Sequence, residues 1–388
     1  MKDRRKTRPL GDLCDILDGQ RKPITKRDRT SGDYPYYGAT GIVDYVGDFI
    51  FDEPLVLVGE DGAKWASGEN TAFHVEGKCW VNNHAHVIRP HRTTILDNWL
   101  VYFLNHSDLT EFVSGLTVPK LNQGNLREIP IPVPPLVDQQ RIVGVLDEAF
   151  AGLATAEAHA ERNLQNARAL FESHLQSVFT QRGTAWVENN MQSLTTKIGS
   201  GATPRGGEAR YKSEGVALIR SLNVHDMGFR YEKLAFLDDA QANGLSNVVV
   251  QKGDVLLNIT GASVARCCVV PADVLPARVN QHVSIIRPIA GKLSPEFLHY
   301  LLISRPYKHV LLQRGEEGGS TRQAITKAQI QKFKVAHPKT LAEQQEFVAR
   351  LNVLSTETQR LESLYQQKQA AFAALKKSLL HQAFSGGL

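Results

Sequence analysis

Three polar segments in the first half of the chain carry side chains that can form hydrogen bonds with nucleic-acid bases. They are Gln20–Lys22, Tyr36–Thr40 and Lys120–Asn125. Arginine and lysine pair with guanine, asparagine and glutamine pair with adenine, and hydroxyl groups bind phosphate. We therefore predict DNA contacts from this half at Gln20, Arg21, Lys22, Tyr36, Tyr37, Thr40, Lys120, Asn122 and Gln123.

Three segments of the second half have the same character, at 203–205, 220–223 and 320–323. One loop of this kind is weak evidence, whereas two sets in one chain could each contact one part of a DNA site. The residues predicted to contact DNA in this half are Thr203, Arg205, Arg220, Asn223, Thr321, Arg322 and Gln323.

No catalytic signature accompanies these segments. The sequence lacks a Walker A motif, a Gly-x-Gly-x-x-Gly motif after a strand, and the Asn-Pro-Pro-aromatic or Asp-Pro-Pro-aromatic motif of methyltransferases. Gly199–Pro204 is rich in glycine, but proline stands where a phosphate-binding loop needs a backbone donor. We predict that the chain is not an enzyme.

Histidine and cysteine side chains near one predicted strand form a conceivable zinc site. His84 and His86 share one face of that strand, and His74 and Cys79 are close in sequence. The corresponding part of the second half keeps only His282, whereas a repeated metal site would keep its ligands. We therefore expect no metal site.

The composition is that of a globular protein with room for two or three domains. Of 388 residues, 42% are hydrophobic and 22% are charged. No apolar run approaches the roughly 18 residues that a membrane helix needs, and no signal segment is evident. The four cysteines lack metal-site spacing, which predicts a reduced cytoplasmic protein with Cys267-Cys268 at a buried strand edge.

Charge is distributed unevenly. Residues 1–137 contain 16 basic and 18 acidic residues, whereas residues 182–342 contain 21 and 12, a balance of +9. The first half still has a basic cluster between Arg21 and Arg29, which is either a DNA contact or a solvated loop. We predict salt-dependent DNA binding that is weighted to the second half.

The second half of the chain repeats the first. Val81–His84 recurs as Val279–His282 at an offset of 198, and Leu136–Gln140 matches Leu341–Gln345 at an offset of 205. The latter offset stays constant over about 44 residues, as a continuous helix requires. A period near 200 residues is too long for a solenoid and indicates two copies of a domain followed by a long helix.

The residues after each domain predict a long amphipathic helix. No proline occurs from Asp138, a candidate N-cap, to Gln181, and apolar residues step by three or four positions. The second copy runs from Glu343 to Gly386, where two glycines end it. The predicted stripes are Ile142, Leu146, Ala149, Leu153, Ala156, Ala160, Leu164, Ala167, Phe171, Leu175 and Val178, and Phe347, Leu351, Leu354, Leu361, Phe372, Leu375 and Leu379.

These observations define an expected architecture. A single long helix would leave its apolar stripe uncovered, so we expect the two helices to pack as an antiparallel coiled-coil pair about a pseudo-two-fold axis. The predicted fold class is α+β: two mixed α/β domains, at 1–137 and 182–342, separated by spacer helices at 138–181 and 343–388. Each domain would read one half of a bipartite DNA site.

A series of short motifs runs along both halves of the chain: Tyr36–Ile42, Leu57–Ala63, Val81–Val87, Pro119–Leu126, Ile129–Pro132, Gln139-Gln140, Gly201–Pro204, Ile219–Ser221 with Gly228, Asn280–His282 and Glu343–Gln345. These motifs resemble those of the specificity subunit of type I restriction–modification systems. The resemblance covers nearly the whole chain, in the order domain, helix, domain, helix. One departure is that Pro119-Lys120-Leu121 becomes Gln323-Ala324-Ile325 in the second copy.

The resemblance implies a non-catalytic subunit with two target-recognition domains and two spacer helices. It would bind double-stranded DNA and two methyltransferase subunits, and restriction subunits would join the larger complex. S-adenosylmethionine, ATP and magnesium would then belong to the partner subunits, with no cofactor in this chain and no membrane partner.

Two alternatives stay open at the level of sequence. The first is the specificity subunit of a fused methyltransferase–nuclease system. The second is a standalone DNA-binding regulator or architectural protein, which would need no partner surface on its helices.

Overall fold

The computed structural model describes residues 6–115, 117–182, 186–204, 207–316 and 324–388. The chain divides into two compact units, which we call unit 1 (Met1–Arg162 with Tyr365–Leu388) and unit 2 (Asn163–Leu364). Each unit contains one mixed domain and parts of both long helices. The predicted division at 137, 181 and 342 is not tested by these units and stays a prediction. Within the described ranges, no helix combines the length and apolar character needed to cross a membrane.

Unit 1 contains two four-stranded sheets, ordered β2-β9-β6-β7 and β4-β3-β8-β5, and the pair β1-β10. Its helices are α1 (Asp97–His106), α2 (Gln123–Glu128) and the first part of α3 (Leu136–Thr180). Its strands are β1 (Thr7–Pro9), β2 (Cys14–Ile16), β3 (Ser31–Gly38), β4 (Gly41–Val46), β5 (Phe51–Asp52), β6 (Leu55–Gly59), β7 (Ala72–Val75), β8 (Lys78–Val81), β9 (Ala85–Pro90) and β10 (Pro130–Pro132).

Unit 2 repeats these sheets strand for strand. Its strands are β11 (Trp186–Asn190), β12 (Thr195–Ser200), β13 (Val216–Ile219), β14 (Val224–His225), β15 (Gly228–Phe229), β16 (Ala235–Leu237), β17 (Val249–Val250), β18 (Val255–Asn258), β19 (Cys267–Val269), β20 (Ala277–Val279), β21 (Val283–Pro288) and β22 (Lys334–Pro338). Its helices are α4 (Met191–Leu194), α5 (Asp239–Asn243), α6 (Pro295–Ile303), α7 (Arg305–Glu316), α8 (Lys327–Gln331) and part of α9 (Leu341–Ser385).

The sheet orders confirm the internal repeat. Unit 2 has the sheets β12-β21-β18-β19 and β16-β13-β20-β17 and the pair β11-β22, each matching a sheet of unit 1. The parallel pairing of β3 with β8 recurs between β13 and β20. Among the described strands of unit 2, the hairpin β14-β15 is an addition. It lies in the connection between β13 and β16, where unit 1 has a two-residue turn.

Local sequence explains several of these elements. The run Leu55–Gly59 is fully buried because β6 lies inside its sheet, as its uninterrupted apolar character predicts. Helix α1 buries Trp99, Leu100 and Leu104, which lie at helical spacing. Proline keeps Pro130–Pro132 extended, and this segment pairs with β1 before α3 begins. Cys267 and Cys268 are buried in the edge strand β19, as predicted.

The long helices are confirmed, with two corrections. Every predicted stripe position of α3 is buried or half-buried, but Leu375 of α9 is 47% exposed. α3 begins at Leu136, so Asp138 lies in the first turn and its N–H donates to Pro135 O (2.9 Å). α9 ends before Gly386, whose φ of +88° suits glycine.

Within each unit, α3 and α9 pack in opposite directions. In unit 1, Arg141 contacts Leu388 O (3.2 Å), and further along α3 Glu161 accepts a bond from Gln369 (3.3 Å). In unit 2, Phe179, at the end of α3, and Val348, near the start of α9, share one core. This is the antiparallel order expected from the repeat.

The end of a long helix closes the core of each unit. In unit 1 the ring of Phe384 packs against Trp99, with centroids 4.9 Å apart. In unit 2 Phe179 packs against Phe297 at 5.4 Å. Phe384 corresponds to Phe179 and Phe297 to Trp99 at the repeat offsets, so the same contact is formed twice.

Candidate nucleic-acid interface

Five separate segments meet at the end of the sheets in unit 1, and we call this place the junction. It consists of residues 18–22, 39–40, 60–61, 82–84 and 120–123. Leu121 N–H donates to Glu60 O (2.8 Å), and Glu60 N–H donates to His84 O (2.9 Å). A Cβ on Gly59 would lie only 3.0 Å from Ala39 O, so the turn after β3 lies against the end of β6. The junction brings together all three polar segments that the sequence singled out.

A nearly buried carboxylate binds two of the basic residues predicted to contact DNA. Glu60 Oε2 accepts a bond from Arg21 Nη1 at 2.5 Å, and its Oε1 lies 2.7 Å from Lys120 Nζ. Arg21 also donates to Ala85 O (2.8 Å), and its side chain is only 12% exposed. Burial raises the pKa of the Glu60 carboxyl, but the bonds from Lys120 and Arg21 outweigh it, so the pKa lies below its usual value.

His86 links two segments of the junction, 18–22 and 120–123, through hydrogen bonds. Its Nδ1 lies 2.6 Å from Asp18 Oδ2 and its Nε2 lies 2.7 Å from Leu121 O. Asp18 and Leu121 thus occupy both ring nitrogens of His86. Burial raises the pKa of the Asp18 carboxyl, but hydrogen bonds from His86 and Val87 N–H outweigh it, and the pKa is lowered. The result is an ionic network of Asp18, Arg21, Glu60, His86 and Lys120.

The geometry of Asp18, Glu60 and His86 could suggest a metal site, because their ligand atoms lie within 4.8 Å of one another. Their chemistry does not fit one. Both carboxylates already bind cationic side chains, and His86 uses both ring nitrogens. A metal ion would have to displace Arg21, Lys120 and one hydrogen-bond partner of His86.

The structure assigns different surroundings to the predicted contact residues of unit 1. Asn122 is the N-cap of α2 and accepts a bond from Asn125 N–H (2.8 Å). Tyr37 is half-buried against Phe73. Tyr36 is 1% exposed, and its hydroxyl accepts a bond from Ile24 N–H (3.0 Å). Its DNA contact stays a prediction. Of the predicted contact residues, Gln20, Lys22, Thr40 and Gln123 are exposed at the junction, and Lys120 is partly exposed.

Unit 2 forms the same junction with the same backbone hydrogen bonds. Ile325 N–H donates to Ile259 O (2.8 Å), and Ile259 N–H donates to His282 O (2.9 Å). Asn82 and Asn280 each accept a side-chain bond from the N–H two residues later, at 2.8 and 3.0 Å. The junction is therefore a repeated scaffold.

The side chains at the unit 2 junction are different. The strand pairings and isolated β-bridges of the two units correspond, so each residue of the ionic network has an equivalent position in unit 2. Neutral residues occupy all five of these positions. These residues are Ser200, Thr203, Ile259, Ser284 and Ala324. Beside them lies a cavity of about 650 Å³ whose lining includes Lys197, Ser200, Ile259 and Lys327. Two copies of one scaffold thus present different chemistry.

The predicted contact residues of unit 2 also differ in their surroundings. Thr203 lies at the junction and donates to the side chain of Gln281. Arg220 is 12% exposed on its side chain and bonds to Glu208 (2.5 Å) and Lys233 O (2.6 Å). Asn223 is fully buried and donates to Arg230 O (2.9 Å), and its DNA contact stays a prediction. Arg205, Thr321, Arg322 and Gln323 lie outside the described residues.

Sequence reasoning missed Asp18, Glu60 and the structural use of His86. One signal was available, because the recurrence of Val81–His84 as Val279–His282 marks the turn on which both junctions are built. No pattern in the sequence indicates that Glu60, Arg21 and Lys120 meet, since 39 residues separate the first two.

Each unit thus combines a mixed domain with parts of both long helices and presents polar loops at one junction. The match to known proteins is direct: the family model of the type I restriction modification DNA specificity domain matches residues 3–164 and 235–369. The chain belongs to this family. Its members are specificity components and are not catalytic.

Individual relatives agree with this assignment. A putative type I restriction enzyme specificity subunit of Haemophilus influenzae, S.HindORF215P, is 38% identical over 145 residues, which is 37% of each chain. The EcoBI specificity subunit of Escherichia coli is 24% identical over 300 residues, 71% of this chain and 62% of that protein. These alignments thus span between about one third and two thirds of the relatives.

One solved structure shows the same fold. It is a chain from a study of complex assembly and conformational transition of the type I R-M system, with a TM-score of 0.71 and 19% identity. The similarity covers 99% of this chain and 98% of that chain.

Proposed function

We propose that this chain reads a bipartite site in double-stranded DNA, with each unit reading one half. The observation that carries the proposal is the junction itself, which recurs in both units with the same backbone bonds but different side chains. A shared scaffold explains a common task, and different side chains explain two different half-sites. Exposed Gln20, Lys22, Thr40 and Gln123 supply hydrogen-bond donors and acceptors in unit 1.

The long helices are proposed to dock two methyltransferase subunits, with restriction subunits joining the larger complex. In unit 1, Val137 of α3 and Leu375 of α9 are 71% and 47% exposed. In unit 2, Leu170 and Val353 are 64% and 70% exposed. These side chains are the apolar surface that the helices leave available to a partner. We assign S-adenosylmethionine, ATP and magnesium to those partners and place the complex in the cytoplasm.

Purified chain, tested with and without its methyltransferase subunit, distinguishes this function from a standalone regulator. We expect no methyl transfer or cleavage by the chain alone, and methylation of one bipartite site when methyltransferase and S-adenosylmethionine are added. Methyl transfer by the chain alone would contradict the proposal. So would sequence-specific DNA binding by the chain together with a failure to methylate the bound site when the methyltransferase is added.

A further inference from the structure

An apolar ribbon projects from the unit 1 junction. Strands β3 and β4 form an antiparallel hairpin whose two-residue turn is Ala39-Thr40. β4 lies at the edge of its sheet. Ile42, Val43 and Tyr45 on this strand are 47%, 53% and 51% exposed.

A bulge explains why neighbouring side chains are exposed together. Tyr37 pairs with Ile42 and Tyr36 pairs with Asp44, so Val43 is an extra residue in β4. A bulge breaks the alternation of faces along a strand and increases its twist. It also discourages pairing with a strand from another protein. The exposed edge is therefore poorly suited to extension by another strand.

A basic segment lies beside this ribbon. Tyr36 of β3 binds Ile24 through its hydroxyl, and Arg29 bonds Asp44 of β4 at 2.9 Å and stacks over the Tyr36 ring at 4.3 Å. The Trp80 indole N–H donates to Lys22 O (2.6 Å). These contacts hold the segment next to the hairpin and leave three basic side chains exposed, Lys22, Lys26 and Arg27.

We propose that the β3–β4 ribbon of unit 1 enters the major groove and reads thymine methyl groups through Ile42 and Val43. This rests on the proposed function and names a surface for it. The major groove admits a two-stranded ribbon, and thymine is the base that presents a methyl group there. Exposed lysine and arginine beside the ribbon complement the phosphates that border the groove.

The second copy supports a role in specificity. Its connection between β13 and β16 is an insertion that contains β14 and β15. This insertion folds back onto its own unit: Asp226 bonds Lys308, and Asp226 O accepts a bond from His299 (2.9 Å). The two junctions therefore share their scaffold and differ in this connection, as expected of two domains that read different half-sites.

The test uses the full chain with its methyltransferase and a random duplex library. Duplexes bound by the wild-type complex give the bipartite site, and each thymine is then replaced by deoxyuridine, which lacks the methyl group. We expect at least one replacement in one half-site to weaken binding about fourfold, since burial of one methyl group contributes about 0.8 kcal/mol. Ile42→Ala with Val43→Ala should abolish this preference and leave the other half-site unchanged.

Val310→Ala provides a control, because Val310 is also an exposed apolar residue (37%) but lies on α7 of unit 2. It should retain the preference for thymine. The proposal is overturned if neither half-site contains a sensitive T·A pair, or if the double variant keeps the wild-type preference. It is also overturned if the double variant loses the methyltransferase instead. Failure to select any sequence would count against the proposed function itself.

Discussion

The ionic network in unit 1 shows how a residue's type can suggest one role and its surroundings another. Arg21 and Lys120 have the chemistry of DNA contacts, yet both bind Glu60. Sequence correctly located their loops, because polar and glycine-bearing segments between strands mark turns. It could not assign their partners, which depend on contacts between distant segments. The same limitation explains Tyr36 and Asn223, whose polar groups are satisfied inside the protein.

Glu60→Gln should destabilise unit 1 by about 3 kcal/mol, because it leaves the Arg21 guanidinium and Lys120 ammonium without their shared counter-ion. Urea unfolding measures the loss. Glu53→Gln is the matched control, since Glu53 pairs with Arg89 and both side chains are about one third exposed (32% and 38%). The control should lose no more than about 1 kcal/mol. Equal losses in both variants would show that burial of the network has no special effect.

The network also predicts a dependence of stability on pH. The pKa values of Asp18 and Glu60 are lowered in the folded protein. Their stabilisation is therefore fully present above the unfolded values near pH 4 and is lost as the pH falls through the lower folded values. Between pH 7 and pH 3, the melting temperature should fall less steeply for Glu60→Gln than for the wild type. An identical decline in both proteins would contradict the ionic assignment.

At the scale of elements, the junction depends on a close backbone approach that only glycine permits. A Cβ at Gly201 would lie 1.7 Å from Val279 O, whereas one at Gly199 would meet no atom within 4 Å. Gly201→Ala should displace residues 200–204, cost about 1–3 kcal/mol and impair reading of one half-site. Gly199→Ala should leave binding unchanged. DNA-binding assays on both variants check this, and equal behaviour would argue against the junction as the reading surface.

The elements themselves were largely predictable. Apolar periodicity identified the long helices, and the paired glycines located the end of α9. Asp138 was wrongly assigned as an N-cap, because α3 begins at Leu136, directly after Pro135, and Asp138 lies in its first turn. Leu375 was placed on the buried stripe by spacing alone, yet it is exposed. The insertion carrying β14 and β15 could not be predicted, since short strands in a loop leave little periodic signal.

At the scale of the molecule, the end of a long helix packs against the core of each unit in the same way. We therefore predict that residues 1–181 can form a homodimer that is active with the methyltransferase. Phe179 should then replace Phe384 on Trp99, since it makes the corresponding contact with Phe297 in unit 2. The modified DNA should be an interrupted palindrome containing one half-site twice. Phe179→Ala in this fragment should prevent assembly, which light scattering detects. A fragment complex that modifies only the original asymmetric site would exclude the two-fold arrangement.

The most direct test of the central claim is to map methylated bases across the host genome with this gene intact and deleted. We predict that deletion removes methylation from one class of bipartite site, two fixed half-sites separated by a constant gap, and that the gene supplied in trans restores it. Substitutions confined to the unit 1 junction should then alter one half-site and leave the other intact. An unchanged methylation pattern in the deletion strain, with the methyltransferase expressed, would contradict the assignment of this chain as the specificity component.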